Sequence, residues 1–386
     1  MNIPPGFLLG AASSSHQVEG NNMNSDWWHA EQLGKVPVSG LACDHYNRYE
    51  EDFTIAQQIG LNAFRISIEW SRIEPVENQW DRQAIEHYKK VLQTMKAKGL
   101  TRMVTLHHFT LPQWLAEKGG FETKNGVAAF ARFAWFVAQN LGNEIDIWCT
   151  INEPEVFTSQ GYFKGIWPPF KKHKLLQVVR VYKNLAKAHI ASYRAIKEVL
   201  PNAQIGIVKN NVYYEAHQNT FLSKVACSVA NYFGNQYFLN KVARDTDYIG
   251  LNYYFTRILK LDWKGIKTVN NEKLPKSDMG WQTFPEGIYH VLLGLRKYNK
   301  PVYITENGIA NARDDMRKDF IRDHLDWALK AKTEGLDLRG YFYWSLTDNY
   351  EWADGYGPRF GLVEINYETQ ERKIRPSADI FKELHG

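Results

Sequence analysis

The chain has 386 residues, 44% hydrophobic and 23% charged, which is the balance of a folded protein rather than a disordered one. No run approaches the ~18 uninterrupted apolar residues of a membrane span, and a net charge of +5 is scattered among acids instead of forming a basic stripe. Neither a membrane nor a nucleic acid is therefore an expected partner.

The opening residues carry no basic group ahead of their apolar segment, and Pro4-Pro5 interrupt it, so no secretory leader is expected. Cys43, Cys149 and Cys227 cannot make a paired framework, which points to a reducing, cytoplasmic setting. The first short apolar run, residues 8–12, predicts a strand. Runs at 63–68 and 102–106 predict two more, separated by a helix on which Ile85, Tyr88, Leu92 and Met95 recur at spacings of three and four and Gly99 supplies the stop. The fourth strand, 147–151, holds Cys149 as a small core residue. Lys171, Lys172 and Lys174 read as a solvated loop, and residues 175–200 as one long helix stopped by Pro201. Strands follow at 204–208 and 248–251, with a compact stretch between them. The last two, 301–305 and 340–344, flank a helix carrying Phe320, His324 and Trp327, and residues 376–384 read as a closing helix.

Eight strands alternating with helices predict an α/β fold, a (β/α)8 TIM barrel. No linker or repeat divides residues 1–386, so a single domain with short βα loops is expected. An open doubly wound sheet would announce itself by a Gly-rich phosphate turn after its first strand, and none stands there.

Barrel chemistry sits where the C-terminal strand ends meet. Just past those ends lie Gln17 and Glu19, His108, Asn152-Glu153, Asn252 and Tyr254, Glu306-Asn307, and Glu351-Trp352, with Arg65 and Trp344 inside their strands. Either glutamate alone reads as readily as a surface charge or structural ion pair as it does a catalytic group. Together on one face, Glu153 and Glu306 point to glycoside hydrolysis, in which two carboxyls ~5–5.5 Å apart split an acetal by double displacement. The acid needs a raised pKa, which a neighbouring carboxylate provides by repulsion, and Arg65 is the group suited to keep Glu306 ionised. Structural pairing elsewhere is the competing role for Arg65. Adjacent His107 and His108 lack the further ligands that a metal requires, so no metal is expected and His108 is read as a hydrogen-bonding group. The 13 Trp and 21 Tyr provide surfaces that stack on sugars as well as fill cores.

Several longer motifs accompany these residues: Phe7-Leu8-Leu9-Gly10-Ala11-Ala12-Ser13 with Gln17-Val18-Glu19-Gly20, Phe64-Arg65-Ile66-Ser67 with Glu69-Trp70-Ser71-Arg72, Leu111-Pro112-Gln113-Trp114, and Asn152-Glu153-Pro154. Gly250-Leu251-Asn252-Tyr253-Tyr254, Ile304-Thr305-Glu306-Asn307-Gly308, and Trp344-Ser345-Leu346-Thr347-Asp348-Asn349 before Glu351-Trp352 complete the set. With them the chain resembles glycoside hydrolase family 1, the β-glucosidase and β-galactosidase family, over essentially its whole length. The resemblance implies Glu153 as acid/base, Glu306 as nucleophile, and Gln17, His108, Asn152, Glu351 and Trp352 as partners of the sugar hydroxyls. It also implies Trp344 as the platform under that sugar, Trp281 as an aromatic on the leaving-group side, and Phe360 as a lining residue.

Two departures stand out. Thr110 replaces the usual Asp after His108, placing a supporting contact in question, and the stretches after strand 5 and after Gly308 are short, so a low rim is expected. Glu351 stands where relatives acting on 6-phosphorylated sugars carry serine, and its charge disfavours a phosphate. The expected substrates are small β-glucosides, β-galactosides, β-fucosides or oligosaccharides, with no cofactor. Transglycosylation through the same intermediate and a non-catalytic sugar-binding barrel are the alternatives.

Overall fold

The computed structural model describes residues 3–263 and 265–384. Eight parallel strands close into a barrel: β1 (Leu8–Ala12), β2 (Ala63–Ser67), β3 (Thr101–His107), β4 (Ile147–Asn152), β5 (Gln204–Asn210), β6 (Tyr248–Asn252), β7 (Val302–Asn307) and β8 (Leu338–Trp344). Closure is made by β1 lying between β8 and β2, with Leu8 opposite Gly340 and Gly10 opposite Ala63. Every predicted strand is present, and the ends shift by no more than two residues.

Inside the barrel, bulky rings face glycines. A Cβ on Gly206 would lie 2.4 Å from the Tyr248 ring, and one on Gly10 would lie 2.6 Å from Phe342. These glycines make room for the aromatic layer, in which Tyr248, Tyr303 and Phe342 pack with Met103, Ile147 and Cys149.

Outside, amphipathic helices cover the strands. Asp81 caps the helix Arg82–Ala97 by accepting from the Gln83 and Ala84 N–H groups, and Ile85, Tyr88, Leu92 and Met95 are buried on its inner face. The long helix spans Leu175–Val199, the Phe320 helix spans Arg317–Thr333, and the predicted closing helix is a 3-10 turn, Pro376–Asp379, leading into Ile380–Glu383.

The rim is uneven rather than uniformly low. A three-stranded sheet, absent from the sequence reading, joins Tyr213–Ala216 to the hairpin Thr256–Asp262 and Gly265–Val269 above β5 and β6, and the helix Phe221–Asn231 packs against it. On the other side, the C-terminal segment is tied to the loop after β8 by Asp348, which is fully buried and accepts from Arg375 Nη1 and Nη2 at 2.9 and 2.8 Å and from the Gly361 N–H at 2.9 Å.

Breaking a buried pair strands a desolvated charge. Asp348→Asn is therefore expected to lower unfolding free energy by about 3–5 kcal/mol in a denaturant titration. Asp319→Asn, which breaks the exposed pair with Arg322, should leave the curve nearly unmoved. Equal losses in the two variants would refute the assignment of Asp348 as the tie.

Candidate active site

Both predicted glutamates sit at backbone irregularities that re-aim their side chains. Glu153 follows β4 with φ of 43°, in the left-handed region, before Pro154 starts the helix Pro154–Thr158. Its N–H remains tied to the sheet through the Val208 carbonyl at 3.0 Å. Glu306 lies within β7, where the register to β6 shifts between Ile304 and Glu306.

Their surroundings differ. Glu306 accepts from Arg65 Nη1 at 2.5 Å and from the Tyr254 hydroxyl at 2.6 Å. Glu153 accepts from Asn252 Nδ2 at 2.7 Å. Arg65 is fully buried, and its other nitrogens reach Thr105 Oγ1 at 3.0 Å and Asn152 Oδ1 at 2.7 Å, so the structural-pair role and the nucleophile-supporting role coincide in one side chain.

Burial pushes both carboxyls upward, and it is the largest cause for each. For Glu153 the Glu306 charge adds to it and the Glu155 charge adds further, holding it well above the usual carboxylate range. For Glu306 the guanidinium of Arg65 and the donors Tyr254 and Asn252 pull back against burial. Glu306 thus releases its proton before Glu153. The sequence reading named repulsion as the cause of the acid's high pKa, and the structure corrects this: desolvation is larger and repulsion second.

A cavity of about 560 Å³ opens over the pair. Gln17, His108, Tyr254, Trp281, Trp344, Glu351, Trp352 and Phe360 line it together with Glu153 and Glu306. Arg65, Asn152 and Asn252 do not line it. They lie fully buried beneath, Asn152 Oδ1 accepting from Arg65 and its Nδ2 meeting His108 Nε2 at 3.2 Å. With Asn152 Nδ2 donating, His108 Nε2 accepts and Nδ1 carries the proton. Burial and Arg65 keep that imidazole neutral, with its pKa well below the ordinary value. Thr110 does not support His108: its hydroxyl reaches the Glu69 carboxylate at 3.0 and 3.1 Å, and His108 Nδ1 is buried without a hydrogen-bond partner.

Two neighbours of these residues belong elsewhere. Glu19 pairs with Arg72 Nε at 2.8 Å and accepts from the Tyr88 hydroxyl at 2.9 Å, outside this cavity. His107 packs against the rings of Phe121, Phe130 and Phe157.

A further ion pair, not anticipated from the sequence, stands behind Glu153. Glu155 lines the cavity, accepts from the Asn210 N–H at 2.6 Å and meets Lys209 Nζ at 2.5 Å, with Lys209 fully buried. A lysine inside the strand Gln-Ile-Gly-Ile-Val-Lys-Asn was the available signal. Trp167 and Phe109 were missed as well. Their rings lie 5.5 and 5.2 Å from that of Trp352 and help fix its position.

Comparison with known proteins agrees with this geometry. The profile of Glycosyl hydrolase family 1 matches residues 1–249 and 239–386. The chain belongs to glycosyl hydrolase family 1. Beta-glucosidase A from Thermotoga maritima is 34% identical over 432 aligned residues, covering 98% of this chain and 97% of the relative. A β-glycosidase from Pyrococcus horikoshii superposes with a TM-score of 0.94 at 38% identity, covering 100% of this chain and 95% of that one. A β-glucosidase from Thermotoga maritima in complex with glucoimidazole superposes with a TM-score of 0.94 at 32% identity, covering 99% and 98%. As a family 1 member the chain is a hydrolase of glycosides.

Within this family 1 site Glu351 departs from the sequence expectation. Its oxygen accepts from Gln17 Nε2 at 3.2 Å, and burial, the Glu306 charge and Asp354 push its carboxyl up to about 8 against the donors Trp344 and Gln17. Below that pH it is mostly protonated, so charge repulsion contributes less against a phosphate than expected. Between 4.5, the ordinary glutamate value, and about 8, the unfolded chain gives up this proton while the folded chain keeps it. Stability from this group therefore falls as pH rises through that window and levels off above it. Glu351→Gln is expected to raise the thermal midpoint more at about pH 9 than at about pH 5. The same change at both pH values would exclude the raised pKa.

Proposed function

We propose that the chain hydrolyses terminal non-reducing β-D-glucosides, and related β-galactosides and β-fucosides, with retention of configuration, Glu153 serving as acid/base and Glu306 as nucleophile. The observation that carries the role split is the unequal support of the two carboxyls. Glu306 is held by a cation and a phenol, which favours its anion, whereas Glu153 has one amide donor and two nearby carboxylates, which favours its proton.

In the first step Glu153 gives its proton to the leaving oxygen while a Glu306 oxygen bonds to the anomeric carbon. Forming that ester removes the Glu306 charge, so the pKa of Glu153 falls and it can take a proton from the attacking water. Gln17, His108, Asn152, Glu351 and Trp352 are assigned to the sugar hydroxyls, Trp344 to the face of the ring, and Trp281 and Phe360 to the cavity wall. Asn152, Asn252, Tyr254 and Arg65 hold the two carboxyls in place. The names β-glucosidase and β-glycosidase borne by the relatives support the substrate class. Three free cysteines, two of them buried, support a cytoplasmic setting.

Glu306→Gly is expected to abolish turnover, and added azide to restore product as the α-glycosyl azide. Recovery of the β-glycosyl azide would reverse the two roles, because an anion replacing the acid/base attacks the covalent intermediate from the other face.

The Glu155 charge raises the pKa of Glu153, so removing it lowers the pH at which the acid proton is lost. Glu155→Gln should move the alkaline limb of kcat/KM toward lower pH and leave the acid limb in place. An unmoved alkaline limb would show that Glu155 does not act on the acid.

A further inference from the structure

Two helices expose apolar stripes beside the mouth of the barrel. On Phe221–Asn231 and the turn after it, Phe221, Leu222, Val225, Val229, Tyr232 and Phe233 fall within an arc of about 120° at 100° per residue. They face solvent, with Phe221 78% and Phe233 60% exposed. The first turn of Leu175–Val199 adds Leu175, Leu176 and Val179, exposed by 62%, 80% and 50%. The stacked rings of Tyr182 and Tyr237, 6.1 Å apart, join the two stripes, and the Phe233 ring lies 6.0 Å from Tyr237. Counting a fully exposed aromatic as ~200 Å², the combined apolar face is on the order of 900 Å². The largest patch on an ordinary monomer is roughly 300–600 Å².

The charges carried by the two segments themselves have one sign, with Glu215 on the neighbouring strand the nearby acid. No Asp or Glu occurs in residues 156–197 or 216–244, whereas Lys174, Arg180, Lys183 and Lys224 are exposed among or beside the stripes. A two-fold contact with a second copy would press together two surfaces that both carry these cations. An anionic lipid surface accepts both features, taking the stripes at the boundary of headgroups and acyl chains and the cations over the phosphates. Among the described residues no helix is long and apolar enough to cross a membrane, so any attachment through this face is peripheral.

We propose that this face docks the protein reversibly on an anionic membrane surface. Gly234 and Asn235, directly after the stripe, line the catalytic cavity, so docking places its mouth close to the lipid. From the sequence alone no membrane partner is expected, and the nearby Lys171, Lys172 and Lys174 read first as a solvated loop.

Sedimentation of the full chain with vesicles of equal parts phosphatidylcholine and phosphatidylglycerol, compared with phosphatidylcholine alone, tests the proposal. Binding is expected to the mixed vesicles, weakening at high salt. Lys174→Glu, Lys183→Glu and Lys224→Glu should each reduce the partition coefficient at least about fivefold. The double variant Phe221→Ser, Phe233→Ser should lose binding while keeping the parent's thermal midpoint. Failure to bind mixed vesicles, or equal binding to both vesicle types, would overturn the proposal. So would elution as a dimer that the double variant converts to monomer without any vesicle binding, which would assign the face to a second copy.

Discussion

A guanidinium with no access to solvent stands at the centre of this barrel, and its charge has to be balanced where it lies. Arg65 cannot lose its proton and cannot reach water, so Glu306 must answer it across 2.5 Å. The remaining donors are satisfied by groups from other strands: Thr105 on β3, the Thr305 carbonyl on β7 and Asn152 on β4. A charge that needs partners on three other strands is stable only when the barrel has closed. Closure and assembly of the catalytic face are thereby one requirement, and Asn152, oriented by Arg65, passes that constraint on to His108.

The same two residue types, placed at the ends of two strands, acquire opposite tendencies from their neighbours. Glu306 collects a cation and a phenol and remains the easier of the pair to ionise. Glu153 leaves the sheet through a left-handed residue, keeps one amide donor and has Glu155 close behind. Lys209 makes that third carboxylate tolerable, since without it the Glu155 charge would stand uncompensated two residues from Glu153. Such an arrangement costs stability and separates the proton affinities of two otherwise identical side chains.

The barrel was legible because its strands are buried on both faces and read as short apolar runs, while its helices keep a 3.6-residue period. The two catalytic candidates were legible because a carboxylate ending an apolar strand has no packing role. The rim sheet was not. Thr256–Asp262 interleaves charged and apolar residues over a short span, and Tyr213–Ala216 is half-buried throughout, so neither produces a strong period. Lys209 lies just past the predicted strand 204–208, and only the fold shows that it is buried beside Glu155. The apolar stripe on Phe221–Asn231 escaped for a related reason: spacing reveals that a helix has an apolar face, not whether that face meets a core or solvent.

Thr110 shows how this chain departs from its family without disturbing the pair. Its hydroxyl donates to Glu69, a buried carboxylate that also accepts from Ser15 Oγ at 2.9 Å. Asp26 lies close enough to feel the Glu69 charge, and burial pushes its carboxyl to about 8, so this pocket already keeps one of its acids protonated. An aspartate at position 110 would add a third carboxylate to a space with little water, whereas threonine supplies a donor and no charge. His108 Nδ1 has no hydrogen-bond partner among the described residues, yet the ring keeps its position. The Trp344 and Trp352 rings stack on it at 5.8 and 6.2 Å, and Asn152 holds its other nitrogen. Since Asn152 is itself held by Arg65, the imidazole is fixed from the barrel interior, and the loop after β3 is free to change its chemistry.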